Sequence, residues 1–290
     1  MGLEPPGRGI LPHEETTPKA KTDRLDLLRA TRANISPIWG MSPSHGLTRH
    51  IDPPVRPADH AVDDNTILHE LWPIVDPDQI RAIEAAVEAE PVLIADGHHR
   101  YETALAYQAE QQAAGREHAD DGFVMAFVVE LSEEQLTVQA IHRLISALPA
   151  GFDLPAALDP WFELVPTEGT DPIMASRMEQ AGALGVVTRH GAWLARPRDR
   201  VVEAALHDLD SSRLDVALAA LPPHQLIFQH GWDNALAAVA AATADAAILL
   251  RPVKIEQIAA IGRGGARMPP KTTFFWPKPR TGLVVRELLG

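Results

Sequence analysis

No cysteine occurs among the 290 residues. This excludes a disulfide framework, thiolate zinc sites and a cysteine nucleophile, and it fits a reducing cytoplasm. Basic residues are also in short supply: 26 Lys and Arg face 39 Asp and Glu, giving a formal net charge of −13 and a pI near 5.4. Nucleic-acid-binding surfaces normally show a basic stripe, so no nucleic-acid partner is expected. A local basic pocket on so acidic a chain would favour a small anionic ligand. Long apolar runs are missing as well. None approaches the roughly 20 residues that a membrane helix needs, and the longest candidate, Ala235 to Leu250, is Ala-rich and interrupted by Asp245. Met1 to Pro12 is rich in Gly and Pro, carries Glu4 and Arg8, and lacks the apolar stretch of a signal peptide. Together these absences predict a cytoplasmic protein with no membrane partner.

With 46% hydrophobic residues, the chain can bury a sizeable core, as one large or two ordinary domains. The reading divides it into a core over 1–150 and a C-terminal α/β region over 151–290. His13 to Lys21 reads as a loop, with Thr22 or Asp23 capping a helix from about Arg24 to Arg32. Asn34 to Gly40 is extended, and Met41 to Asp64, with its prolines and histidines, reads as a long surface connection. Asn65 to Val75 is extended. Asp76-Pro77 opens a helix to about Glu90. Pro91 stops it, Val92 to Ala95 is a buried strand, and a helix from Arg100 to Ala114 ends at Gly115. Hairpins are expected from Phe123–Leu131 with Leu136–Ile141, and from Leu184–Thr188 with Ala192–Ala195. The last third alternates strand, helix, strand and helix from Gln225 to Ile261, followed by strands at Thr272–Trp276 and Leu283–Leu288. The fold class is therefore α/β of the mixed α+β kind: mixed sheets with hairpins and strand–turn–helix units.

The segment Val92 to Leu105, which contains Asp96-Gly97-His98-His99-Arg100, concentrates the chemistry. A buried strand feeding a helix presents unpaired backbone N–H groups, with the positive end of the helix dipole behind them. Gly97 allows close approach of a ligand to the backbone. Arg100 supplies a planar fork suited to phosphate or carboxylate, and His98 and His99 supply donors that titrate near neutrality. This combination predicts an anion site, most naturally for phosphate. Asp96, at the strand end, suits magnesium binding or proton abstraction from a hydroxyl. Tyr101, Ala104 and Leu105 would dock the helix on the sheet, leaving Glu102 and Thr103 near the mouth. Taken one by one, these residues have plainer readings: Asp96 as a cap, Arg100 paired with a carboxylate, and the histidines incidental. A metal reading pairs His98 or His99 with Glu102.

Asp96 to Leu105 resembles the D-G-H-H-R-Y-E-T-A-L hallmark of the bacterial and archaeal proteins called the domain of unknown function 1015 family. Two further blocks are similar to that family. One is Pro12-His13-Glu14-Glu15-Thr16 with Lys19, Lys21, Asp23, Arg24 and Ala33-Asn34-Ile35-Ser36-Pro37. The other is Met268-Pro269-Pro270-Lys271-Thr272-Thr273-Phe274-Phe275-Trp276-Pro277-Lys278, with Pro270 where the family usually has Gln. The family typically carries a further N-terminal segment, so the chain resembles its C-terminal portion. The strand–D-G-H-x-R–helix arrangement also resembles the nucleotide site of the ParB/sulfiredoxin superfamily, which includes a free-serine kinase. That resemblance implies a ParB/sulfiredoxin-like core in which Gly97, His98, His99 and Arg100 hold nucleotide phosphates, with Asp96 as metal ligand or base.

Several other residues join this reading. His13 and Glu14, with Lys21 and Arg24, form a polar stretch that could wall the same site, Glu14 acting as general base and the cations as phosphate clamps. Lys271 follows the Gly/Arg-rich Gly262–Arg267 loop, which lacks Walker spacing. His142-Arg143 reads as a local ion-pair feature, Asp233 as a helix cap, and His45, His50, His60 and His69 as surface residues. The expectation is a phosphotransferase or NTPase using ATP or another nucleotide with Mg²⁺. The alternatives are a non-catalytic module sensing an anionic metabolite and a metal-dependent hydrolase. A homo-oligomer is compatible with each.

Overall fold

The computed structural model describes residues 1–5, 7–12, 19–51, 57–168, 172–264, 266, 268–269 and 271–288, with the backbone alone at 19–22, 172 and 263. Two units divide the chain. The first holds Met1–Leu136, Gly262–Ala266 and Pro277–Gly290; the second holds Thr137–Ile261 and Arg267–Trp276. Both units mix strands and helices, and the fold is mixed α/β.

In the first unit, β1 (Ile10–Pro12) precedes α1 (Lys19–Thr31), β2 (Ala33–Asn34) and β3 (Ile38–Ser42). The hairpin β4 (Asp59–Val62) and β5 (Leu68–Leu71) follows, then α2 (Pro77–Glu88), β6 (Val92–Asp96), α3 (His98–Ala113) and β7 (Ala126–Glu130). The main sheet has the order β1-β6-β3-β7. β1 lies parallel to β6, β3 antiparallel to β6, and β7 parallel to β3. β6 is central and apolar, and its first four residues are buried. A register shift falls between Trp39 and Gly40, where a Cβ on Gly40 would meet Val92 Cγ1 at 2.7 Å. Ile10, Ile38, Val92, Ile94, Tyr101, Ala104 and Val124 form the core beneath α3. Asp76 caps α2 as expected, accepting from the amides of Asp78 and Gln79.

Three expectations for this part of the chain need correction. α1 begins at Lys19 rather than near Arg24, because Lys19-Ala20-Lys21 are good helix formers that extend the helix through the polar residues proposed as its cap. The stretch 41–64 is more than connection: Met41 and Ser42 complete the buried β3, and β4 pairs with β5. The β4–β5 turn is set by Asp63, whose carboxylate accepts from the amides of Asn65 at 2.8 Å and Ile67 at 3.0 Å. β7 and the next strand do not form a hairpin around Ser132–Gln135; they pair with different partners in different units. Ser-Glu-Glu-Gln suits a linker as well as a turn, so the choice is tertiary.

The second unit is built on an antiparallel sheet of the order β12-β8-β13-β10-β11-β9, with β14 also paired to β8. Its strands are β8 (Thr137–Ser146), β9 (Phe162–Thr167), β10 (Leu184–Thr188), β11 (Gly191–Pro197), β12 (Gln225–His230), β13 (Ala246–Leu249) and β14 (Thr273–Trp276). The expected hairpin at His190-Gly191 is β10–β11. Helix Trp232–Ala240 buries Ala235 and Val239 against the sheet. Its N-cap is Gly231, so Asp233 lies in the first turn and is not the cap.

His142 and Arg143 lie inside this sheet, 5% and 1% exposed. Arg143, read as part of a local ion-pair feature, feels the charge of Asp215, donates to the Ile141 carbonyl at 2.6 Å and sits 4.5 Å over the Phe228 ring. His142 Nδ1 accepts the Leu250 amide at 3.2 Å, which requires the unprotonated nitrogen. Burial, reinforced by the charges of Arg143 and His230, pushes the imidazole down to about 4. Between that value and the ordinary one near 6.5, the unfolded chain binds a proton that the folded chain does not, so stability rises with pH across this window. We predict a loss of roughly 3 kcal/mol on acidification from pH 6.5 to 4 through this group. Urea unfolding across that range should show a clearly flatter slope between pH 5 and 6.5 for His142→Gln. An unchanged slope would refute the assignment.

Candidate functional site

β6 delivers Asp96 to the end of the sheet, and Gly97 turns the chain directly into α3. Gly97 has φ 103° and ψ 20°, in the left-handed region that favours glycine. A Cβ there would meet Nε and Nη2 of Arg100 at 3.0 Å each, because the guanidinium folds back across the turn. Arg100 Nη2 donates to Asp96 Oδ2, and Nη1 donates to the Ser36 hydroxyl. On the other oxygen, Lys278 Nζ donates to Asp96 Oδ1 at 2.5 Å. The carboxylate is therefore held between two cations. Burial pushes Asp96 up, but the hydrogen bond and charge of Lys278, with the charges of Arg100 and His98, outweigh it and keep the group below the ordinary carboxylate value. Burial lowers Arg100, Asp96 opposes that shift, and the nearby charge of Arg24 adds to it. Among the described residues, Arg24, Arg100 and Lys278 place positive charge around this turn in a chain of net −13.

α1 is positioned to contribute Arg24. It is clasped to α3 by Arg29, whose Nε and Nη2 bond Glu110 at 3.0 and 2.5 Å, with Leu28, Tyr107 and Leu288 packed beneath. His98 is buried in the first turn of α3, and Tyr101 is the amide that bonds back to the Gly97 carbonyl, at 2.9 Å. Tyr101 and Ala104 dock the helix as expected, the Tyr101 hydroxyl donating to the Glu4 carbonyl at 2.8 Å. Thr103 does not sit at the mouth. It is buried and donates to the His99 carbonyl at 2.6 Å, a bond that occupies its hydroxyl within the helix.

His13 and Glu14 lie outside the described residues, and of Lys21 only the backbone, in α1, is described. Lys271 belongs to the second unit, exposed and with φ 59°. Gly262, in the Gly/Arg-rich stretch, packs its bare Cα on Leu93, where a Cβ would be 2.1 Å from Cδ2; packing accounts for this glycine. Of the histidines read as surface residues, His45 is exposed, whereas His69 is partly buried and 3.1 Å from Asp63. Among the described residues no three His, Asp or Glu side chains group as a metal site. Two residues absent from the sequence-based site, Ser36 and Lys278, reach its centre. Both lie in family-like blocks, Ala33–Pro37 and Met268–Lys278, so the signal was present without a role attached.

The family model described as Protein of unknown function (DUF1015) matches residues 1–217. The chain belongs to this family. The match takes in the Asp96–Arg100 turn and Ser36, and ends before Lys278. No curated protein matches the chain. Among solved structures, SbnI with a C-terminal truncation from Staphylococcus aureus is similar at a TM-score of 0.51 and 12% identity, covering 97% of this chain and 84% of that one. That likeness bears on the fold. A mutant free serine kinase in complex with ADP aligns at TM-score 0.48 and 12% identity, over 92% of this chain and 84% of that one. A conserved hypothetical protein from Pyrococcus furiosus aligns at 0.47 and 12%, over 97% and 92%. At these scores the last two decide nothing about this family member. Among its described residues no helix is long and apolar enough to cross a membrane.

The Gly97 geometry gives a direct test. Gly97→Ala should cost about 1–2 kcal/mol for the left-handed backbone, plus the displacement of Arg100. Gly115, at φ 63° with nothing within 4 Å of a built Cβ, supplies the control. Denaturant unfolding should therefore rank Gly97→Ala below Gly115→Ala in stability; equal losses would mean that Arg100 does not constrain this glycine.

Proposed function

We propose that the first unit binds nucleotide phosphates at the turn 97–100 and acts as a phosphotransferase or NTPase on a small molecule. The observation that carries this reading is the convergence of Arg100 and Lys278 on Asp96 at the start of α3, with Arg24 adding further positive charge. Phosphate oxygens would take donors from the turn's backbone, from the Arg100 fork and from Lys278, as expected at a helix N-terminus. Asp96, held ionised by its neighbours, is matched to holding cations rather than to taking a proton near neutrality. The base role then falls to Glu14 or His13. In support, β1 runs parallel to β6 with Pro12 opposite Ile94, so both strands lead to the same edge of the sheet. Magnesium would neutralise phosphate charge in such a reaction and needs only one or two protein carboxylates. Asp96 is the carboxylate at this turn, and it would have to release Lys278 or Arg100 to take that part.

A second reading is favoured by that same pairing. Both Asp96 oxygens are already engaged, which suits a binding module that senses an anionic metabolite without turnover. A metal-dependent hydrolase has less support, since His98, His99 and Glu102 form no described cluster of three ligands.

Calorimetry with ATP, CTP and GTP in the presence of Mg²⁺ tests the proposal. Wild type should bind at least one of them. Arg100→Ala and Lys278→Ala should each weaken binding about tenfold or more, equivalent to about 1.4 kcal/mol. A folded wild type that binds none at millimolar concentration overturns the reading. Phosphate release or transfer separates the enzyme from the sensor.

A further inference from the structure

A cleft of about 440 Å³ opens in the first unit between the β4–β5 hairpin, the start of β7 and the C-terminal tail. That volume lies in the range of small-molecule sites. Five large apolar side chains stand half-exposed along it: Leu68, Leu71, Phe127, Leu283 and Val284. Several such groups gathered around one concavity suit a ligand site. The Phe127 ring lies 6.0 Å from the ring of the buried Trp39, which fixes it from below.

This cleft is joined to the Asp96 site in two ways. Lys278 lines it while its ammonium group bonds Asp96. The prolines on either side, Pro277 and Pro279, restrict the backbone that carries this lysine. The sheet register supplies the second link. Asp96 is paired with Trp39 across β6–β3, and Trp39 with Phe127 across β3–β7. Each step between neighbouring strands is about 4.8 Å. Asp96, beside the register shift, and Phe127 therefore lie on the two strands that flank Trp39. Arg280 fixes the rim: its guanidinium bonds Asp63 at 2.6 Å and Asp64 at 2.5 Å, tying the tail to the hairpin that forms the opposite wall. His60, His69 and Glu70 add polar edges.

We infer that the cleft receives the base and sugar of a nucleotide whose phosphates lie on Arg100 and Lys278, the base resting against Phe127. This rests on the nucleotide reading of the Asp96 turn and adds where the uncharged part of the ligand goes. One sheet then serves both halves of the ligand, with charge at β6 and an aromatic platform at β7.

The test compares inorganic tripolyphosphate with ATP, GTP and CTP by calorimetry on the full chain. At least one nucleotide should bind about tenfold or more tightly than tripolyphosphate, the difference being the contribution of base and sugar. Phe127→Ser and Leu283→Ser, both at half-exposed positions, should each lower nucleotide affinity toward that of tripolyphosphate and leave tripolyphosphate binding unchanged. Equal binding of tripolyphosphate and every nucleotide by wild type overturns the inference while the phosphate site stands. A nucleotide preference that survives both substitutions overturns it too. Absence of binding by any of these ligands removes the phosphate site, and the inference with it.

Discussion

The Asp96 carboxylate, held between Arg100 and Lys278, ties the first unit together. It joins the end of the central strand to the first turn of α3 and to a tail 182 positions away in sequence. Arg100 extends the link to Ser36 in the segment before β3. Exposed ion pairs contribute little to stability, but these groups are partly buried, and removing one leaves the others uncompensated. The tail is secured in series: Lys278 on Asp96, Arg280 on Asp63 and Asp64, and Arg286 on Asp120 at 3.1 Å. A short strand at Arg286–Glu287 pairs with β2 and completes the attachment. The tail therefore supplies both a cation for the turn and a wall for the adjacent cleft.

Much of this site was legible in the sequence, because local chemistry wrote it. Val92–Ala95 could only be a buried strand, Gly97 could only be a turn, and Asp76-Pro77 marked a helix start that the structure reproduces. The mixed α/β class followed from the alternation of such segments. Long-range pairing was what the sequence withheld. Lys271 and Lys278 sit in one block, and nothing local distinguishes the lysine that reaches Asp96 from the one that lies in the second unit. The same limit explains the failed hairpin at Ser132–Gln135. A four-residue polar turn allows antiparallel pairing, but β7 finds β3 and β8 finds β12, β13 and β14. Two family-like blocks did carry the missing residues, Ser36 and Lys278, though as motif positions without a chemical role.

His142-Arg143 shows a different limit of the sequence. Two adjacent basic residues suggest a local ion-pair feature, and burial of both in β8 is not written in that pair. The sheet accommodates them by satisfying particular atoms: a carbonyl and an aromatic face for the guanidinium, and an amide for the imidazole nitrogen. Burial and the adjacent arginine keep the histidine neutral, and neutrality is what lets it accept that amide. Sequence alone cannot show which polar groups will find such partners, because each partner comes from another strand or from the end of one.

The electrostatics of the whole chain bear on what the Asp96 turn can select. A protein of net charge −13 presents a field that repels anions at a distance. In physiological salt that field decays over about 8 Å, so a ligand is decided at contact range. There the partly buried Arg100 and Lys278 dominate, and they reward only groups able to reach them. The rest of such a ligand needs uncharged surface within its own length. Phe127, Leu71 and Leu283, half-exposed in the cleft that Lys278 also lines, supply that surface. A compact polyanion can use only the cations and not this surface. A ligand with phosphates at one end and a flat, weakly polar body at the other can use both, and that asymmetry is the physical basis for expecting a nucleotide over a simple inorganic anion.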